Sequence, residues 1–146
     1  MIKIIIINDY DKNLQINNNQ INTIIQNVYD SEKIKSAKIT LILSNKYLLN
    51  KLKKNYFSLD QFTDVIAFNL EDKNEPIEGE VYISLDDVLD NSKKYKQLLD
   101  VEFKRVLIHG ILHLLGLNDK TQEEKQHMNL LEEKYLKQNP QKTIVL

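Results

Sequence analysis

Two of the three histidines, His109 and His113, stand four residues apart inside the apolar run VLIHGILHLLGLNDK at residues 106–120. On a helix this spacing stacks both side chains on one face, where two imidazoles can share a single metal ion. Gly116 follows three residues on, and a glycine there lets the helix stop in a left-handed turn, so that the chain folds back over the face it has left. The next side chain able to ligate is Asp119, with Asn118 beside it. His109, His113 and Asp119 thus form a candidate set of two nitrogens and one oxygen. The set suits one Zn²⁺ per chain, although nickel or cobalt accepts the same donors. Three protein ligands leave a fourth tetrahedral position for water, as in catalytic rather than structural zinc sites. Zinc brings the pKa of such a water to about 7.

The competing explanation places both histidines on the packed face of a core helix, since Leu112, Leu114 and Leu115 surround them. His127 is a rival third ligand, but it adjoins Met128 and is expected at a helix edge, on the surface. Zinc proteases carry a glutamate directly after the first histidine as general base. Gly110 occupies that position here, so peptide hydrolysis by that route is not expected. No side chain presents itself as a general base, which leaves that role to the water of the metal site.

Elements must hold these side chains in place. Residues 2–7 read as a buried strand. Ile21, Ile24, Ile25 and Val28 fall at i, i+3, i+4 and i+7 and predict an amphipathic helix. SAKITLILSN alternates Ala37, Ile39, Leu41 and Leu43, a second strand, and Leu48, Leu49 and Leu52 predict a short helix to about Lys54. TDVIAFNL and GEVYISL are β-rich and separated by the polar EDKNEPIE, which predicts a hairpin.

From Asp86 the pattern is helical to about Lys137, interrupted at residues 116–121. Leu98, Leu99, Phe103, Val106, Leu107 and Leu112 repeat near 3.6 residues and predict a central, buried helix carrying the histidines. Met128, Leu131 and Tyr135 mark the inner face of a last helix, and the tail after Pro140 carries no assignable pattern. The order implies an α/β (α+β) fold, a small mixed four-stranded sheet packed with about five helices. Residues 1–146 read as a single domain, with the metal site on a central helix.

Composition narrows the function classes. Hydrophobic residues make up 42% and charged residues 28%, ordinary for a globular protein. The formal charge of −1 excludes a basic field over the whole molecule, so RNA binding requires a local cluster. Cysteine is absent, which excludes disulfides and thiolate metal sites and is compatible with a reducing cytoplasm. The apolar start is too short for a signal core or a spanning helix, so a soluble cytoplasmic protein with no membrane association is expected.

HGILHLLG, with glycine after the first histidine, resembles the signature of the YbeY family, bacterial metal-dependent single-strand endoribonucleases of ribosomal RNA maturation. FTDVIAF (residues 62–68) is similar to the family's Thr-Asp-Val-x-x-Phe strand, and GEVYIS (residues 79–84) resembles its Gly-Asp-Ile-x-Ile-Ser strand. The resemblance runs from about residue 36 to about residue 135. It implies metal ligation by His109 and His113, with Asp119 where the family's third histidine stands and Asn118 where an aspartate precedes it. A carboxylate there adds negative charge, which weakens the Lewis acidity of the metal.

The family's cleft arginine falls on Phe57, and Lys53 stands where an asparagine is usual. The missing guanidinium turns attention to Lys53, Lys54 and Arg105 as candidate substrate contacts, with Lys51 and Lys104 nearby. Thr63 and Asp64 are candidate cleft residues, or else they make local strand-start hydrogen bonds. Glu80 is either a structural carboxylate or an acid/base group. The implied partners are single-stranded RNA, ribosomal RNA in particular, and the small ribosomal subunit. The alternative function is a ribosome-assembly factor whose metal serves stability.

Overall fold

The structure, a computed structural model, describes residues 1–145. A four-stranded mixed sheet has the order β1 (Ile2–Asn8), β3 (Ala37–Ser44), β5 (Ile77–Ser84), β4 (Val65–Asn69). The first three are mutually parallel, and β4 closes the hairpin antiparallel to β5, with Val65 opposite Ile83. Five helices surround it: α1 (Asn18–Ser31), α2 (Lys46–Phe57), α3 (Leu85–Lys94), α4 (Leu99–His113) and α5 (Gln122–Gln138). A two-stranded ribbon joins β2 (Gln15–Ile16) to β6 (Ile144–Val145). The α+β fold expected from the element order is the one observed.

Helix α4 is the structural centre. Phe103, Leu107, Ile108, Ile111 and Leu112 are fully buried against the inner sheet face, alongside Ile24, Val28, Leu41 and Val81. Gly110 makes this approach possible, because a Cβ there would lie 2.7 Å from Val81 Cγ1 and 3.0 Å from Val65 Cγ2. Any larger residue would push the helix off the sheet and carry its neighbour His109 away from β4. The glycine that stands where a zinc protease carries its glutamate therefore has a packing reason of its own. Helix α2 covers the opposite face, where the Phe57 ring stacks on Phe68 at 5.8 Å between centroids.

Three expectations need correction. The first strand is an edge strand, not fully buried: Ile2, Ile4 and Ile6 face inward while Ile5 and Ile7 are 48% and 45% exposed. An unbroken isoleucine run does not distinguish a strand covered on both faces from one covered on a single face. The helical stretch after Asp86 is interrupted a second time at residues 95–98, which creates α3 and α4. Lys96 adopts φ +54° there, and its neighbour Gln97 donates to the Ser92 carbonyl at 2.8 Å. Glycine usually takes that left-handed position, and no glycine or proline marked it. Leu98, assigned to the inner face, is instead 74% exposed in this break.

The tail after Pro140, unassigned from sequence, is tied into the core. Asp100 Oδ1 accepts from the Thr143 amide at 2.6 Å, the Thr143 hydroxyl at 2.5 Å and the Ile144 amide at 3.3 Å. Lys104, one of the cations near the candidate substrate contacts, is 3% exposed. Its ammonium lies 3.1 Å from Asp100 Oδ2 and donates to the carbonyls of Asn139 and Gln141, each at 3.0 Å. Such a lysine is a structural cation, unavailable to a ligand.

Candidate metal centre

His109 and His113 occupy the last turns of α4 on its one unburied stripe, with side chains 23% and 27% exposed. Their Nε2 atoms are 2.9 Å apart and the rings meet edge to face. The helix ends as expected: Gly116 takes φ +90° and its amide donates to the His113 carbonyl at 3.0 Å. Asn69 Nδ2 donates to the Leu114 carbonyl at 2.8 Å and secures this end to β4. The returning loop brings Asp119 Oδ2 to 3.1 Å from His109 Nε2 and 3.5 Å from His113 Nε2. Thr121 then restarts the chain as helix: its hydroxyl caps the Glu124 amide at 3.1 Å, and the Glu124 side chain returns to the Thr121 amide at 2.9 Å.

The donor set fits a metal. One ligand atom from each of His109, His113 and Asp119 lies within 4.8 Å of the other two. The two imidazole nitrogens, 2.9 Å apart with the Asp119 oxygen beside both, form a donor set that can converge on one cation. A fourth side chain completes the arrangement. Glu132 of α5, 4% exposed, places Oε2 at 2.8 Å from His109 Nδ1. A carboxylate only accepts, so Nδ1 carries the proton and the Nε2 lone pair faces the cluster.

Sequence reading missed Glu132, although a signal existed. It lies four residues after Met128, on the face that Met128 and Tyr135 mark as inner, and a carboxylate on an inward face calls for a partner. Glu132→Gln keeps the shape but not the charge, and should weaken zinc affinity by about 10- to 100-fold. Competition with a chromophoric chelator measures this, and unchanged affinity would deny Glu132 an orienting role.

Electrostatics keep the two imidazoles different. Burial lowers His109, but the hydrogen bond and charge of Glu132, with Asp119 and Asp64, outweigh it and hold the imidazole above its ordinary value. Burial and the neighbouring His109 hold His113 below its ordinary value, against the opposing pull of Asp119 and the Leu117 backbone. Burial also raises the Asp64 carboxyl above the usual range, while the charge of His109 acts the other way.

A cleft of about 460 Å³ opens over the cluster, lined by His109, His113 and Asp119 together with Thr63, Asp64, Lys53 and Phe57. Lys120, not foreseen, also lines it. Thr63 combines both anticipated roles, since its hydroxyl bonds the Val65 carbonyl at 3.3 Å within the cleft wall. Asp64 accepts from Asn91 Nδ2 at 3.3 Å.

Lys54, Glu80 and His127 lie apart, while Arg105 lines a smaller pocket with Asp64, His109 and Glu132. Lys54 pairs with Asp60 at 3.6 Å on the surface, Glu80 accepts from the Tyr82 hydroxyl at 3.2 Å on β5, and His127 is exposed on α5. Arg105 bridges carboxylates: its Nη1 lies 2.8 Å from Glu133 and 3.7 Å from Glu132, and its Nε 3.9 Å from Glu102. The guanidinium therefore braces the residue that orients His109.

A mixed sheet packed on a helix that presents two histidines, with a loop carboxylate beside them in an open cleft, is the architecture of a metal-dependent hydrolase. The chain belongs to the YbeY family: the family model described as Endoribonuclease YbeY matches residues 6–139. An Endoribonuclease YbeY of Amoebophilus asiaticus is 37% identical over 115 residues, covering 79% of this chain and 78% of the relative. One of Karelsulcia muelleri is 41% identical over 97 residues, covering 66% and 67%. The fold also matches the solution structure of a Thermotoga maritima protein, with a TM-score of 0.60 at 23% identity over 94% of this chain and 91% of that one.

Proposed function

We propose that this protein is a metal-dependent endoribonuclease that cuts single-stranded RNA in the maturation of small-subunit ribosomal RNA. His109, His113 and Asp119 hold one Zn²⁺. The observation that carries this reading is the approach of Asp119 Oδ2 to both histidine Nε2 atoms, at 3.1 and 3.5 Å, at the base of a cleft that also presents Lys53 and Lys120. A bound zinc supplies Lewis acidity for phosphodiester cleavage. Glu132 holds the His109 Nδ1 proton in place, and Lys53 and Lys120 offer positive charge to the phosphates. Asp64, the raised carboxyl on the cleft wall, is placed to hold or pass a proton at a departing oxygen. The site of action is the cytoplasm, on the small ribosomal subunit. Among the described residues no helix is long and apolar enough to cross a membrane.

Purified protein should cleave single-stranded RNA, lose this activity on chelation and regain it with about one equivalent of zinc. Undiminished cleavage by fully chelated protein would remove the metal from the mechanism. The net charge of −1 and the engagement of Arg105 by carboxylates favour the assembly-factor role as the second reading. Equal rescue of ribosome maturation by the wild type and by a cleavage-dead variant would select it.

A further inference from the structure

The rim of the cleft carries an aromatic surface that the metal chemistry does not use. Phe57, at the end of α2, is 44% exposed and lines the same cleft as His109, His113 and Asp119. Its ring lies nearly parallel to Phe68, at 17° and 5.8 Å between centroids. Tyr56 and Tyr82 meet Phe68 edge-on at 5.4 and 5.9 Å and hold that backing ring from two sides. The Lys53 ammonium stands 4.8 Å from the Phe57 ring centroid. An exposed cation–π contact contributes only about 0.5–1 kcal/mol, so a flexible lysine leaves the ring readily when a better partner arrives.

We infer that Phe57 is a stacking platform for one nucleobase of the RNA next to the scissile phosphate, and that Lys53 turns from the ring to that nucleotide's phosphate as the base lands. The occupant follows from three features of the cleft. A flat ring backed by another ring matches a base face, lysines beside it match a phosphodiester, and the metal cluster on the same floor limits the distance to the reacting phosphate. An aromatic platform also requires an unstacked base, which a duplex does not offer. The inference deepens the single-strand ribonuclease reading and rests on it.

Phe57→Leu separates stacking from packing, because leucine keeps an apolar contact with Phe68 but lacks a π face. Binding of a fluorescent single-stranded RNA is followed by anisotropy on zinc-chelated protein, with unfolding midpoints measured for every variant. Phe57→Leu should weaken binding by about 5- to 150-fold, the range that base–aromatic stacking supplies, while Phe57→Trp binds at least as tightly as the wild type. An oligonucleotide with a single abasic site, moved along the strand, should lose a similar factor at one position on the wild type and nothing further on Phe57→Leu. Wild-type affinity in a folded Phe57→Leu protein overturns the platform and leaves the nuclease reading standing. Failure of the zinc-loaded wild type to cut single-stranded RNA overturns the nuclease reading, and failure of the wild type to bind it overturns the platform.

Discussion

Exchange of His113 for alanine is expected to strip the protein of stoichiometric zinc and of RNA cleavage while leaving it folded. His113 is the better probe of the pair for a structural reason. Its Nε2 faces only His109 and Asp119, and its removal strands no buried charge. Removing His109 would leave the carboxylate of Glu132, 4% exposed, without its 2.8 Å partner. That substitution would mix lost stability with lost function. Burial and His109 hold the His113 imidazole below its ordinary value, which favours the neutral, ligating form. With two ligands left from three, affinity should fall by more than the roughly 10- to 100-fold expected for a supporting residue such as Glu132. Elemental analysis after desalting, circular dichroism and an RNA cleavage assay read the three consequences separately. One zinc per chain retained in His113→Ala would place the metal elsewhere.

Lys104→Met should produce the largest loss of stability, about 3–5 kcal/mol, the range for breaking a buried ion pair by removing one partner. Against a typical total of about 5–15 kcal/mol, that is a severe loss. The pair is almost solvent-free, with side chains 4% and 10% exposed, and Lys104 also satisfies two carbonyls of the tail. Methionine fills the space but leaves Asp100 charged and those carbonyls without their donor. Adding Asp100→Asn should restore part of the loss, since the stranded charge is then gone. Urea midpoints at constant m report both effects, and a change below about 1 kcal/mol in Lys104→Met would contradict a buried, working pair.

The same cluster sets an acid limit. Burial raises Asp100, but the Thr143 hydroxyl and amide, Lys104 and the Ile144 amide outweigh it and hold the folded carboxyl below its usual range. A depressed folded pKa contributes stability that is fully present above the unfolded value of about 3.9 and is lost as pH falls through the folded value. The acid limb of the stability curve should therefore flatten in Lys104→Met.

Much of the site could be read from the linear chain because its parts are local. The spacing of His109 and His113, the stop at Gly116 and the return of Asp119 all fall within eleven residues of helix and turn, where 3.6-residue periodicity and glycine's freedom at positive φ govern the geometry. The strands and the hairpin were legible for the same reason, through alternation and polar punctuation. Where local signals were weak the reading failed: nothing in KKYKQ announces that Lys96 will take a left-handed turn.

Other features depend on which surfaces meet when the sheet and helices pack, and periodicity carries no information about that. Lys104 and Arg105 look alike in sequence as cations beside the histidines. Only packing buries the first under the tail and turns the second toward Glu133. Glu132 reaches His109 from 23 residues away, and Phe57 joins the cleft from the far side of β4. The sequence alone determined the donor types, their order and the helix that presents them. Tertiary structure decided which nitrogen of His109 keeps its proton, which lysines line the cleft and which ring borders the histidine cluster, because those depend on burial and on partners distant along the chain.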